Sequence, residues 1–182
     1  MRNKTTLSIV FCGLFAALTA VASQLAIPIG PVPINLGTLA MFLAGGVLGA
    51  RRGAASQAVF LLIGLAGLPV FAGFRGGAAV LAGPTGGYLV GYIAGAWLIG
   101  LLCGRFGRKP LPLVGSLAAG LLVCYLLGTV WFIFVTKTGL WQALTLCVFP
   151  FLIGDAVKIA AAVILVPRLY RALNGGIACD AA

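Results

Sequence analysis

Apolar residues run along this chain in six stretches, roughly 5–27, 34–50, 53–69, 83–103, 111–135 and 143–168. Each is long enough to read as a membrane-spanning helix, since a span needs about 20 residues and a short turn, and 182 residues accommodate about six of them. The connections carry the helix breakers: Pro28-Ile-Gly-Pro-Val-Pro33 after the first run, Gly73-Phe-Arg-Gly-Gly77 after the third and Arg105-Phe-Gly-Arg-Lys-Pro110 after the fourth. Two runs open alike, on Gly30-Pro-Val-Pro33 and Gly83-Pro-Thr-Gly-Gly87, with proline where the first helical turn tolerates its missing N–H. The pattern predicts an all-α integral membrane protein of six transmembrane helices, forming one transmembrane domain over residues 1–182.

Composition reinforces the pattern: 62% of residues are hydrophobic and 8% charged, with a mean hydropathy of +1.19, whereas about 25% of a soluble domain is charged. No room is left for a soluble catalytic domain. The net charge of +10 does not indicate nucleic-acid binding, because the basic residues sit at the ends of apolar runs and no aromatic-basic interleaving accompanies them. Instead they set topology. With an inside N-terminus, Arg2, Lys4, Arg51, Arg52, Arg105, Arg108, Lys109, Arg168 and Arg171 fall on the inner side and only Arg75 and Lys137 on the outer side. That bias predicts both termini inside. Arg2 and Lys4 ahead of an apolar stretch ending in Ala20-Val-Ala22 also fit a cleavable signal peptide, which would leave five spans in the same orientation.

The candidate chemistry is sparse. Asp155 and Lys158, three residues apart inside the last run, share one helix face. Each would cost roughly 2.5–3.5 kcal/mol alone at a bilayer centre. If that helix starts at Pro150, they lie roughly 8 and 12 Å below its outer end, lining a pocket open to the outside. The pair reads either as a self-neutralising structural link between helices or as a polar ligand site in which Lys158 takes an anionic group and Asp155 accepts from N–H or O–H donors. The glycine-dense stretch 67–88 is the second signal, a lid or pocket wall or else an external loop. Its glycines, Gly86 and Gly87 among them, allow close backbone approach, and Phe71, Phe74 and Tyr88 are able to cover apolar rings. Arg75 either pairs with a carboxylate or faces water; Asn35 either offers amide hydrogen bonds or satisfies a helix start. Ala16 and Ala20, with Ala22 and Ala26, give the first helix a flat face for close helix packing.

The five cysteines form no C-x-x-C pair and no histidine is present, so no metal site is expected. No P-loop and no Ser-His, Cys-His or paired-carboxylate arrangement occurs, so the chain is expected not to be an enzyme and to use no cofactor. With no His, no Glu and one intramembrane Asp, a proton relay is poorly furnished, and uphill transport would draw its energy from a partner.

Gly30-Pro-Val-Pro-Ile34, Gly49-Ala-Arg-Arg-Gly53, Gly67-Leu-Pro-Val-Phe-Ala-Gly73, Gly83-Pro-Thr-Gly-Gly-Tyr88 and Gly154-Asp-Ala-Val-Lys158, in this order and spacing, resemble the BioY family, the biotin-specific substrate-binding subunits, or S components, of energy-coupling factor (ECF) transporters. The resemblance implies a six-helix S-component bundle in a bacterial cytoplasmic membrane that captures extracellular biotin. It also implies a membrane coupling protein and two ABC-type ATPases as partners that drive release inward. Asp155 and Lys158 fall on the family's acid and base in the last helix, and Ala16 and Ala20 on the alanine motif that meets the coupling protein. Tyr88, Gly86, Gly87, Asn35, Arg75 and Phe71 complete the expected ligand set. The chain departs from many relatives at Asn35 and Gly37, where Thr and Gln are found, and at Arg75, where glycine is usual. Rival expectations are an S component for thiamin or riboflavin, a stand-alone secondary carrier, and a scaffold without a ligand.

Overall fold

The computed structural model describes residues 4–27 and 32–178. Arg2, the Pro28–Pro31 part of the first connection and Cys179 lie outside these described residues. Helix α1 (Lys4–Gln24) leads into a minimal antiparallel pair, β1 (Ala26–Ile27) and β2 (Ile34–Asn35), with Ala26 opposite Asn35. Helices α2 (Gly37–Leu48), α3 (Ala50–Leu65), the one-turn α4 (Ala78–Ala82), α5 (Gly86–Phe106), α6 (Pro110–Thr136), α7 (Leu140–Cys147) and α8 (Phe149–Ala178) follow.

Among the described residues, α1, α5, α6 and α8 are long and apolar enough to cross a membrane. Two of the expected spans are shorter than the sequence suggested. Helix α2 has 12 residues and α3 has 16, about 18 and 24 Å at 1.5 Å per residue, against a hydrocarbon core of about 30 Å. Backbone chemistry explains the shortfall: the Pro-rich connection and the β pair occupy the start of the second run, and Gly67 at φ 98° ends the third. The sixth run is divided at Val148, whose φ of −124° and ψ of −58° break the helix between α7 and α8. Helix α8 then runs through Pro167 to Ala178, ten residues beyond the expected end.

Helix α2, buried along nine of its twelve residues, forms the centre. Around it, α5 and α6 make the most extensive helix pair, and two small residues set their spacing. A methyl group on Gly120 would stand 2.4 Å from Ile99, and one on Gly87 2.3 Å from Trp131. Because lipid offers no hydrophobic drive for association, such close packing is what holds membrane helices together. At one end, Arg108 donates to the Gly46 carbonyl at 2.7 Å and lies 3.6 Å from the centre of the Tyr170 ring. That contact gathers the α2–α3 turn, the α5–α6 connection and the far part of α8, and with them Arg51, Arg52, Arg105, Lys109, Arg168 and Arg171. Arg75 and Lys137 lie at the opposite end.

Candidate ligand-binding site

A cavity of about 790 Å³, its open mouth included, occupies the end of the bundle away from the basic cluster. Helix α8 supplies the floor. Asp155 and Lys158, one helical turn apart and 1% and 6% exposed, form an ion pair at 2.7 Å. The Lys158 ammonium also donates to Thr38 Oγ1 at 2.9 Å, and Thr38 donates in turn to Asp155 Oδ1 at 3.3 Å. The Tyr125 hydroxyl donates to Asp155 Oδ2. Three helices, α2, α6 and α8, thus converge on one carboxylate. Its charge is compensated, while Lys158 has two of its three N–H groups committed within the protein.

Above the floor, Asn35 Oδ1 accepts from the backbone N–H of Gly37 at 2.8 Å and from the Tyr92 hydroxyl at 3.3 Å. The helix start is therefore satisfied by the carbonyl side of the amide, and its NH2 group has no hydrogen-bond partner among the described residues. A Cβ at Gly37 would stand 2.7 Å from the Tyr92 hydroxyl, so glycine here gives Tyr92 room to reach Asn35. The wall is apolar and polarisable: Phe71, Val80, Tyr88, Leu89, Cys124, Cys147 and Phe151 line it. Tyr88 is fixed by its hydroxyl on Thr129 at 3.2 Å. Phe71 is buried edge-on against Phe60, with ring centres 5.5 Å apart.

The mouth is built by the glycine-dense stretch, which contributes Phe71, Ala72, Arg75, Val80 and Thr85 to the lining. Arg75 is exposed there and has no acidic partner among the described residues. Of the positions singled out in the sequence, Asp155, Lys158, Asn35, Arg75, Phe71 and Tyr88 are brought together around the cavity. Gly86 and Gly87 lie behind it instead. A Cβ on Gly86 would stand 1.8 Å from the Leu81 carbonyl, so these two let α5 close on α4 and α6. Ala16 is 2% exposed within the chain's own core and Ala20 is partly buried. Sequence reasoning missed Thr38, Tyr92 and Tyr125. Neither Thr38, in the first turn of α2, nor the tyrosines gave a local signal.

Apolar helices around a cavity that has a compensated ion pair at its floor and an open mouth at one end define a membrane-embedded binding protein for a small polar-headed molecule. The family model described as the BioY family matches residues 1–175. The chain belongs to the BioY family. It is 44% identical over 156 residues to a protein of Pyrococcus horikoshii described as a probable biotin transporter BioY, covering 86% of this chain and 91% of that one. It is 40% identical over 159 residues to the biotin transporter BioY of Thermotoga maritima, covering 87% and 93%. Its fold matches the crystal structure of the S-component for biotin from an ECF-type ABC transporter, with a TM-score of 0.87 and 30% identity over 94% of each chain.

Proposed function

We propose that this protein captures biotin from outside a bacterial cell and delivers it to the cytoplasm as the S component of an ECF transporter, whose coupling protein and two ATPases supply the energy. The observation that carries the ligand assignment is the charge layout of the cavity. Biotin has a neutral ureido head, an apolar thioether ring and a carboxylate tail. A compensated floor suits the ureido group: Lys158 keeps an N–H for its carbonyl, and Asp155 is an acceptor for its N–H groups. The apolar wall suits the ring. In this reading the carboxylate meets Arg75 at the mouth, which has no acidic partner among the described residues, and not Lys158, to which the sequence reading gave it. The Asn35 NH2 group is a second donor to the ligand. Asp155, Lys158 and Arg75 together give the cavity a net charge of +1, which favours an anion and opposes cationic thiamin.

The carrier rival finds little support, because the lining holds one carboxylate, already bonded to three donors. The bundle crosses the membrane six times in this reading, α2 and α3 completing their crossings with the adjoining connections, and the basic end with both termini faces the cytoplasm. Calorimetry on the purified protein tests the assignment with biotin and with biotinamide, which lacks the carboxylate. Biotin is expected to bind more tightly than biotinamide. Arg75→Ala is expected to weaken biotin about tenfold while leaving biotinamide little changed, and Lys158→Ala to weaken both. Absence of biotin binding by folded wild-type protein would overturn the reading.

A further inference from the structure

Gln24, the last residue of α1, spends its whole amide on one turn of the mouth. Its Nε2 donates to the Pro69 carbonyl at 3.2 Å and to the Phe71 carbonyl at 3.1 Å, and its Oε1 accepts from the Phe74 N–H at 3.0 Å. The turn itself is closed by two backbone bonds between Phe71 and Arg75, at 2.9 and 3.2 Å. The Phe71 carbonyl therefore receives both the Arg75 N–H and the Gln24 amide. Phe74 holds a φ of 56° and follows Gly73 at φ 73°. This left-handed conformation is rarely adopted by a bulky residue, and the Gln24 carbonyl holds the N–H of that very residue.

We infer that Gln24 positions Arg75, fixing the 71–75 turn so that the guanidinium stands over the cavity mouth for the ligand's carboxylate. This rests on the reading of Arg75 as the carboxylate partner. Two anchors hold the turn: Gln24 on its backbone, from Pro69 to Phe74, and α3 on the Phe71 ring. The Phe71 ring is seated against Gly64 of α3, where an added methyl would stand 2.0 Å from it, and Gly77 donates to the Gly64 carbonyl at 2.7 Å. Those contacts keep the apolar wall in place without Gln24. Among the described residues, Gln24 is the one side-chain anchor of the tip that carries Arg75. Loss of Gln24 thus releases the cation and spares the wall and floor.

The experiment compares biotin and biotinamide affinities for wild type, Gln24→Ala, Gln24→Met, Arg75→Ala and the Gln24→Ala/Arg75→Ala double variant, with thermal unfolding as the check on folding. A wild-type preference for biotin of about tenfold is expected to fall in both Gln24 variants toward that of Arg75→Ala, with biotinamide affinity held within about twofold. Gln24→Ala added to Arg75→Ala is expected to change nothing further, since the two act as a unit. Gln24→Met keeps the side chain's length and serves if the alanine variant fails to fold. A wild-type preference left intact in the Gln24 variants, or equal weakening of both ligands, overturns the inference alone. A wild type without biotin binding, or without preference for the carboxylate, overturns the underlying reading and this inference with it.

Discussion

Lys158 and Asp155 are each other's charge partners at the cavity floor, so removing one strands the other. Lys158→Met is expected to destabilise the protein by about 3–5 kcal/mol, because a buried carboxylate loses its counter-charge. The Asp155→Asn/Lys158→Met pair removes both charges and is expected to recover most of that stability while biotin binding stays lost. Thermal unfolding in detergent and calorimetry on the same samples check both halves. Retained binding in the double variant would favour a purely structural ion pair. Tyr125→Phe deletes a donor to the same carboxylate and is expected to cost about 1.5–3 kcal/mol, the range for hydrogen bonds to charged groups. Asp155 and Lys158 were legible as a pair from their spacing and rarity. Thr38 and Tyr125 were not, since they lie 117 and 30 residues from Asp155 in the chain.

Helix α3 acts on the cavity through Phe71, and the contact leaves no space at Gly64. Gly64→Ala is expected to push the Phe71 ring out of its seat, at an overpacking cost of about 1–3 kcal/mol. Both biotin and biotinamide should bind more weakly, because the wall is common to the two ligands. The Gln24 variants differ by selecting against the carboxylate alone. Helix α6 does for Tyr88 what α3 does for Phe71: a methyl on Gly128 would stand 2.2 Å from the Tyr88 ring. Gly128→Ala should therefore displace Tyr88 from Thr129 and lower affinity for both ligands, as measured by the same titrations. Helix ends were the least legible feature at this scale. One of them was marked: Pro150, inside the apolar run 143–168, suits the first turn of a helix, and α8 opens beside it at Phe149.

For the whole molecule, the separation of charge between the two ends predicts an orientation. In right-side-out cells, with the native cysteines replaced, a membrane-impermeant thiol reagent is expected to label Phe74→Cys and Lys137→Cys and to leave Arg51→Cys and Lys109→Cys untouched. The reverse pattern would invert the topology. Phe74 is 74% exposed at the cavity end, so burial does not mask it, and bound biotin is expected to slow its labelling if the 71–75 turn closes over the ligand.

Hydrophobic content by itself settled that the chain lives in a membrane, because runs of this length and apolarity are stable in no other solvent. The segregation of basic residues to the ends of those runs, and the placement of two opposite charges one turn apart, were likewise matters of local spacing. Gly86 and Gly87 show the limit: sequence marks a glycine as special, yet whether it faces a ligand or a helix depends on what stands opposite, and Trp131 and Leu81 stand opposite here. The same holds for charge. Spacing pairs Lys158 with Asp155 in the sequence, but only folding brings Thr38 and Tyr125 onto the same carboxylate and sets Arg75 at the cavity mouth with no acidic partner among the described residues.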